Sequence, residues 1–508
     1  MKHPDPCVLG LLGVTGDLSK RKLIPALFDL YLKDHLPRPF QVLGLGRGHM
    51  DDAGMQSLAR EALAQFSAHA GTPEQRDAFA TLFSYQEVDT GDADAYGPVA
   101  QRLEQVFQQQ GIPHNILFYL ALPPKMYTPA IQGLKRSGLS RQDQGGWRRI
   151  VVEKPFGTDL ASARALNALL LRAFGETHVF RIDHYLGKET VQNILALRFA
   201  NGIFEPLWNR NQVHHLEVSA AESIGVGGRG GYFDGVGILR DMVQNHLLQV
   251  LATVTMEPPG SFDATSVRNE TAKVLNALRP IAGQDVSRHV VRGQYTGATV
   301  RGERLPGYRE ESGVSADSRT ETYVALRAHI DNWRWGGVPI YIRSGKRLPT
   351  RVTEVVVHFR EPPHQFFHRP EGEEQAANRL ILRIQPDEGI LLQFGLKVPA
   401  AGFQICPVGM DFHYASLGTG ALPDAYERLL LDGLLGDATL FARSDAVEQG
   451  WAFVEPILAA WQERDDAPLL GYPAGTWGPR ETSRLFDAGQ DFRQPCRNLN
   501  ADGGYCEL

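Results

Sequence analysis

The sequence predicts an α/β domain built on a parallel sheet, followed by a larger α+β domain with an extended, mainly antiparallel sheet. Three observations lead there. At 508 residues the chain is too long for one core, so two domains are expected. Roughly the first 180 residues alternate short apolar stretches with helix-compatible ones, the pattern of βαβ units that place helices on both faces of a parallel sheet. From about residue 183 that alternation gives way to a run of strand-like segments with few helices between them, as in an antiparallel sheet. The expected domains are therefore 1–182 and 183–508.

Taken in order, residues 8–13 form an apolar strand, and 18–32 carry helical apolar spacing through Leu23, Leu27 and Leu30. Residues 40–45 are the next strand, and the polar, alanine-rich stretch 51–69 is a helix. Short apolar or β-branched segments at 83–88, 116–122, 149–152 and 177–182 continue the sheet. Beyond them come a helix at 189–199, a strand at 213–220, a glycine-rich loop at 225–237 and a helix at 240–252. The segments 320–330, 340–343, 353–359, 379–385 and 389–394 read as antiparallel strands of one sheet.

Composition excludes several classes of partner. A 43% hydrophobic and 22% charged chain is an ordinary globular protein, and a net charge of −6 provides no field to attract nucleic acid. Any phosphate must be held by a local cluster of donors. Cys7, Cys406, Cys496 and Cys506 have neither zinc spacing nor the density of a disulfide framework, which points to a reducing compartment and no metal. The apolar run 8–12 is too short for a signal peptide or membrane span, so a cytoplasmic protein with no membrane partner is expected.

The first strand-to-helix turn reads Gly13-Val-Thr15-Gly16-Asp17-Leu18. Glycines there allow a tight turn and close approach of a pyrophosphate to a helix amino terminus. GxxG alone is weak, but its position between first strand and first helix favours a dinucleotide site over a plain turn. Arg47 follows the second strand, where a cation meets the 2′-phosphate of NADP; a solvated surface arginine is the alternative, and Asp51 and Asp52 lie nearby. Pro123 and Pro124 make a rigid wall after the 116–122 strand, suited to the nicotinamide side. Lys154 precedes a proline at the next strand end, where a cis bond is plausible, and projects toward cofactor and substrate unless it is merely an exposed strand-end lysine.

Residues 181–189 read Arg-Ile-Asp-His-Tyr-Leu-Gly-Lys-Glu. His184, Tyr185 and Lys188 are three donors able to surround a phosphate, and Asp183 is a carboxylate able to orient a base. They sit at a strand's carboxyl end, where open α/β sheets bind ligands; a solvated polar loop is the bland alternative. His246 falls on an apolar side of the 240–252 helix, which alone suggests a buried, hydrogen-bonded histidine. Paired with Asp183, it becomes the base that an alcohol-oxidising hydride transfer requires.

Seven segments in order resemble the glucose-6-phosphate dehydrogenase family: 13–18, 120–124, 153–157, 181–189, 229–234, 240–246 and 343–346. The resemblance covers nearly the whole chain, and the Asp-His-Tyr-Leu-Gly-Lys run is its most specific part. It implies a Rossmann domain joined to a large α+β domain whose sheet mediates dimers, and oxidation of glucose 6-phosphate to its δ-lactone with NADP. It implies His246 as the base taking the C1 hydroxyl proton, with Asp183 as its partner, and His184, Tyr185 and Lys188 on the 6-phosphate. Glu222 and Asp241 would hydrogen-bond sugar hydroxyls, Lys154 would touch substrate and cofactor, and Lys346 and Arg351 would complete the sugar-phosphate site. Gly13, Thr15, Gly16, Asp17, Leu18, Arg47 and Pro123 would hold NADP, and a homodimer or homotetramer is expected. Two departures stand out: Val14 and Thr15 replace the usual Ala-Ser, keeping a hydroxyl, and Gly48 stands where relatives often carry a small polar residue, leaving some NAD use open. Two rival classes are another sugar oxidoreductase of the same plan, which would not need His184, Tyr185 and Lys188, and a non-catalytic NADP(H) sensor, which would not need Asp183 with His246.

Overall fold

The computed structural model describes residues 3–69, 71–142, 145–364, 366, 378–417, 424–463, 467–487 and 490–495. The chain forms two compact units, one of Met1–Lys188, Pro259–Glu270 and Pro423–Glu448, the other of Glu189–Pro258, Thr271–Leu422 and Gln449–Leu508.

The first unit is built on six parallel strands: Cys7–Leu12, Phe40–Gly46, Phe83–Glu87, Ile116–Leu120, Arg148–Val152 and Val179–Ile182. Across the sheet they run third, second, first, fourth, fifth, sixth, the order of a dinucleotide-binding fold. Strands such as Cys7–Leu12 and Ile116–Leu120 are buried throughout, which is why they read as continuous apolar runs rather than alternating ones. Leu9, Leu11, Val42, Leu117, Tyr119 and Val151 pack with Leu27 and Phe28 of the first helix in one core. Late pieces of chain return to this core: helix Ala425–Leu435, capped by Asp424 and ended by Gly436 in the left-handed region, brings Leu429, Leu430 and Leu434, and Phe441–Ala442 pairs antiparallel with the sixth strand. Nothing local in those residues says which sheet they join.

Register fixes where the strands end. Leu12 lies opposite both Leu45 and Leu120, Leu120 opposite Val152, and Val152 opposite Arg181. The residues that follow therefore leave at one edge.

The second unit holds a nine-stranded sheet. From one edge its strands are Ile405–His413, Gly389–Lys397, Arg379–Gln385, Val352–Phe359, Val213–Ala221, Ile340–Gly345, Tyr323–Ala328, Val290–Thr296 and Leu470–Pro473. It is mainly antiparallel, but Val213–Ala221 runs parallel to Ile340–Gly345, as Leu470–Pro473 does to Val290–Thr296. Ile405–His413 escaped the sequence reading because it contains Pro407 and Gly409, residues that a central strand excludes and an edge strand accepts. The helix expected at 240–252 is also different in kind. Over Leu239–Leu247 it is π-helical, with the Leu248 N–H donating to the Val243 carbonyl, and α-helical only from Leu248 to Thr255.

Among the described residues no helix is long and apolar enough to cross a membrane. Cys7 is buried and Cys406 half-buried, both unbridged; Cys496 and Cys506 lie outside the described residues.

Candidate active site

In the first unit the glycine of the opening turn is required twice over. Gly13 has φ +82°, and a Cβ there would lie 2.3 Å from the Ala121 carbonyl oxygen. Its N–H donates to the Leu45 carbonyl at 2.8 Å, and its own carbonyl accepts from Gly16 N–H at 2.9 Å. Ser19 Oγ donates to the same carbonyl at 3.0 Å, tying the start of the helix to the turn. Thr15 and Asp17 are exposed beside it, with Gly16 and Leu18 half-buried.

Arg47 leaves the second strand exposed. The two acids near it are engaged elsewhere. Asp51 caps helix Asp52–Phe66, accepting from Gly54 N–H at 2.8 Å. Asp52 accepts from Tyr85 N–H at 2.8 Å and from Arg102 at 2.5 Å. Pro123 is exposed after the fourth strand. The Lys154–Pro155 bond is cis, and Lys154 is half-buried. Glu153 beside it is buried; its carboxylate accepts from Tyr119 Oη at 2.6 Å and its backbone carbonyl from Tyr127 Oη at 2.9 Å. Burial pushes the Glu153 carboxyl above the usual range despite that phenol and the Lys154 charge.

The 183–188 run is wound into overlapping turns. Asp183 accepts from Tyr185 N–H at 2.9 Å, and Leu186 and Lys188 N–H donate to the carbonyls of Asp183 and Tyr185, each at 3.1 Å. A Cβ on Gly187 would lie 2.9 Å from Leu429, so glycine lets the turn pack on helix Ala425–Leu435. The His184 and Tyr185 ring centroids are 4.9 Å apart, and Lys188 Nζ is 5.8 Å from the Tyr185 ring. Three donors are thus gathered in one turn. Arg181 is taken by structure: fully buried, it donates to Asn167 at 3.0 Å and Glu176 at 2.9 Å. Burial raises the Asp183 carboxyl to about 6, against the lowering influence of His184, the Tyr185 N–H and Lys154.

In the second unit, Ala221 and Gly345 end parallel neighbours in register. Glu222 and Lys346 therefore emerge side by side as an ion pair. Lys346 is 3% exposed, with its ammonium 4.9 Å from the Phe233 ring and its carbonyl accepting from Tyr472 Oη at 2.7 Å. His246 is fully buried in the π-helical stretch and Asp241 half-buried. Five residues apart, they would be about 140° apart around an α-helix. The wider i→i+5 winding brings them to within roughly 50°, on one side of the helix. Arg351 is exposed immediately before Val352–Phe359.

Residues 11–193 match the family model described as glucose-6-phosphate dehydrogenase, NAD binding domain, and residues 195–493 the C-terminal domain model of the same family. The chain belongs to the glucose-6-phosphate dehydrogenase family. It is 50% identical over 496 residues to a glucose-6-phosphate 1-dehydrogenase of Aggregatibacter actinomycetemcomitans, covering 97% of this chain and 98% of that one. Identity to the enzyme of that name from Treponema pallidum is 46% over 508 residues, 99% and 98% of the two chains. A solved glucose-6-phosphate dehydrogenase in complex with its substrate glucose-6-phosphate has a TM-score of 0.87 at 35% identity, covering 97% of this chain and all of that one. A glucose-6-phosphate 1-dehydrogenase structure from Mycobacterium avium gives 0.82 at 36%, covering 97% and 99%. The fold class is that of the family: a Rossmann domain and a larger α+β domain with a mainly antiparallel sheet.

Three residues that shape these sites escaped the sequence reading. Ser19 has no motif signal of its own, whereas Gly187 lies within the 181–189 run and Glu153 within the 153–157 segment, each without an assigned role.

The environment of Asp183 makes a direct prediction. Its folded pKa stands above the ordinary carboxylate value of 3.8. The neutral form therefore contributes stability that is full below about pH 4 and lost as pH rises through about 6. Carboxyl-carbon NMR of the labelled chain should show the Asp183 midpoint near 6; a midpoint near 4 would mean that water reaches the group.

Proposed function

We propose that this chain oxidises glucose 6-phosphate at C1 to 6-phosphoglucono-δ-lactone with hydride transfer to NADP, the first step of the oxidative pentose phosphate pathway. It is an oxidoreductase acting on a CH–OH donor. One observation carries this reading: in a chain matched by the family along both halves, residues 183–188 collect a buried carboxylate and three side chains able to donate hydrogen bonds in one turn at the carboxyl edge of the parallel sheet.

In this reading residues 1–182 bind the nucleotide and 183–508 the sugar phosphate. Gly13, Thr15, Gly16, Asp17 and Leu18 hold the pyrophosphate region, where a Cβ on Gly13 would obstruct the turn. Arg47 takes the 2′-phosphate; the engagement of Asp51 and Asp52 elsewhere supports NADP over NAD. Pro123 walls the nicotinamide side. When bound, NADP accepts the C1 hydride.

His184, Tyr185 and Lys188 hold the phosphate, with Lys346 and Arg351 completing its surroundings. Glu222 and Asp241 accept hydrogen bonds from the sugar hydroxyls, and Lys154 touches both ligands. His246 removes the C1 hydroxyl proton, and Asp183 orients the ring and stabilises its cation. The location of Asp241 and His246 on one side of the π-helical turn supports their joint use. The chain works in the cytoplasm as a homodimer or homotetramer, the large sheet forming the contact; its cysteine usage and family support this.

His246→Asn should fold, bind substrate and lose about 10²–10⁴-fold in kcat with little change in KM. Near-normal turnover would reassign the base and leave His246 as core packing.

Arg47→Ala should raise KM for NADP while leaving NAD nearly untouched, because NAD lacks the 2′-phosphate. Equal loss with both cofactors would move recognition of that phosphate to another residue.

The reaction itself is tested by NADPH formation with glucose 6-phosphate against glucose. Hydrogen bonds to charged groups are worth about 1.5–3 kcal/mol, so Lys188→Ala should cost on the order of ten- to a hundredfold in kcat/KM for glucose 6-phosphate. The weak activity on glucose should barely change. A proportional fall on both sugars would refute the phosphate role, and equal wild-type rates on both would favour the rival sugar oxidoreductase.

A further inference from the structure

The turn that carries Arg47 is built from residues with little hold on their own conformation. Arg47, Gly48 and His49 are all exposed, and the space where a Cβ on Gly48 would stand is open. A glycine beside Arg47 gives the backbone its widest choice of conformations, and a loose turn must be ordered whenever it grips a ligand. An arginine that reads a single phosphate from such a turn needs a rigid support behind it.

Strand Phe83–Glu87 supplies that support. Tyr85 is 5% exposed, and its hydroxyl donates to the Gly48 carbonyl at 2.6 Å. Gly46, the last residue of strand Phe40–Gly46, makes room for the contact: a Cβ there would lie 3.1 Å from Tyr85 Oη. Burial pushes the Tyr85 phenol above its ordinary value, so the hydroxyl keeps its proton and stays a donor. Tyr85 is itself fixed. Its strand is at the edge of the sheet, and its N–H donates instead to Asp52 at 2.8 Å, whose second oxygen accepts from Arg102 at 2.5 Å. A further contact between the same two segments is weaker. His49 Nδ1 lies 3.0 Å from Glu87 Oε2, but the side chains are 98% and 52% exposed, and exposed pairs contribute little.

We propose, resting on the assignment of Arg47 to the 2′-phosphate of NADP, that Tyr85 is a positioning residue for recognition of that phosphate. Its hydroxyl holds the turn in the form that presents Arg47, and so sets part of the preference for NADP over NAD. Tyr85 acts through the backbone at Gly48 and needs no contact with the cofactor. Because the two cofactors differ only in that phosphate, loosening the turn weakens one and spares the other. Gly48 is exposed, so water can take over its carbonyl when the hydroxyl is removed, and the fold loses little.

Reduced nicotinamide fluoresces, so titrating the full chain with NADPH and with NADH gives both affinities without turnover. Tyr85→Phe should raise the dissociation constant for NADPH roughly three- to tenfold and leave that for NADH within about twofold. Arg47→Ala should weaken NADPH more, again sparing NADH. In the double variant Tyr85→Phe should add nothing, because the group it positions is gone. Gly46→Ala crowds the hydroxyl away from Gly48 and should move the ratio in the same direction, which keeps the role testable if Tyr85→Phe does not fold. Equal weakening of both cofactors by Tyr85→Phe, unchanged NADPH affinity, or full additivity with Arg47→Ala would overturn the positioning role while Arg47 keeps its phosphate. Arg47→Ala without a selective loss of NADPH would remove the assignment of Arg47, and the role of Tyr85 with it.

Discussion

The candidate ligand-binding groups of the first unit depend on one constraint, the common register of its parallel strands. Leu45, Leu12, Leu120, Val152 and Arg181 form a continuous row across the sheet. Everything just beyond that row belongs to one edge: Arg47, Gly13, Pro123, Lys154 and Asp183. A one-residue slip would displace a strand end by about 3.3 Å and turn its side chains to the opposite face. For the fifth strand, such a slip would take the Glu153 carboxylate from Tyr119, leaving a charge in the core. The buried partners behind the edge therefore hold the register as much as the apolar packing does.

The second unit uses the same device once. Most of its sheet is antiparallel, yet Val213–Ala221 and Ile340–Gly345 run parallel, so their carboxyl ends coincide and Glu222 meets Lys346. Antiparallel pairing would have sent those two residues to opposite ends. Lys346 is buried and Glu222 half-buried, and their pairing ties the two strand ends together. The opposite strand pairing, Val213–Ala221 with Val352–Phe359, is antiparallel and puts His215 across from His358. A single strand thus contributes to an ion pair at its end and to a histidine–carboxylate cluster on one face.

What the sequence disclosed follows the range of each interaction. The parallel sheet was legible because strands buried on both faces read as apolar runs, and the opening turn because Gly13 answers a local steric demand. The 183–188 run was legible because all its donors lie in one turn. By contrast, helix Ala425–Leu435 and strand Phe441–Ala442 join a sheet whose other strands are more than two hundred residues earlier, and no local pattern encodes that choice. The π-helical winding at Leu239–Leu247 was hidden because its apolar residues also satisfy an α-helical spacing. His215 and Glu217 lie on an expected strand but carried no signal of their own, and His358 becomes their neighbour only through strand pairing.

Three buried carboxylates among the described residues are held in different ways. Glu217 has two imidazoles against it and stays ionised well below the ordinary range. Glu153 is raised by burial but receives a phenol hydrogen bond and lies beside a lysine, an arrangement that fixes a strand end. Asp183 has the Tyr185 N–H and the nearby His184 and Lys154 charges, and burial still lifts it to about 6. A group held there changes charge near neutral pH, and only its ionised form serves the proposed role of stabilising an imidazolium. The same burial lowers the local dielectric and so strengthens the carboxylate's attraction for an imidazolium. In the proposed role, the desolvation that disfavours the ionised Asp183 also increases what its carboxylate would contribute to proton removal.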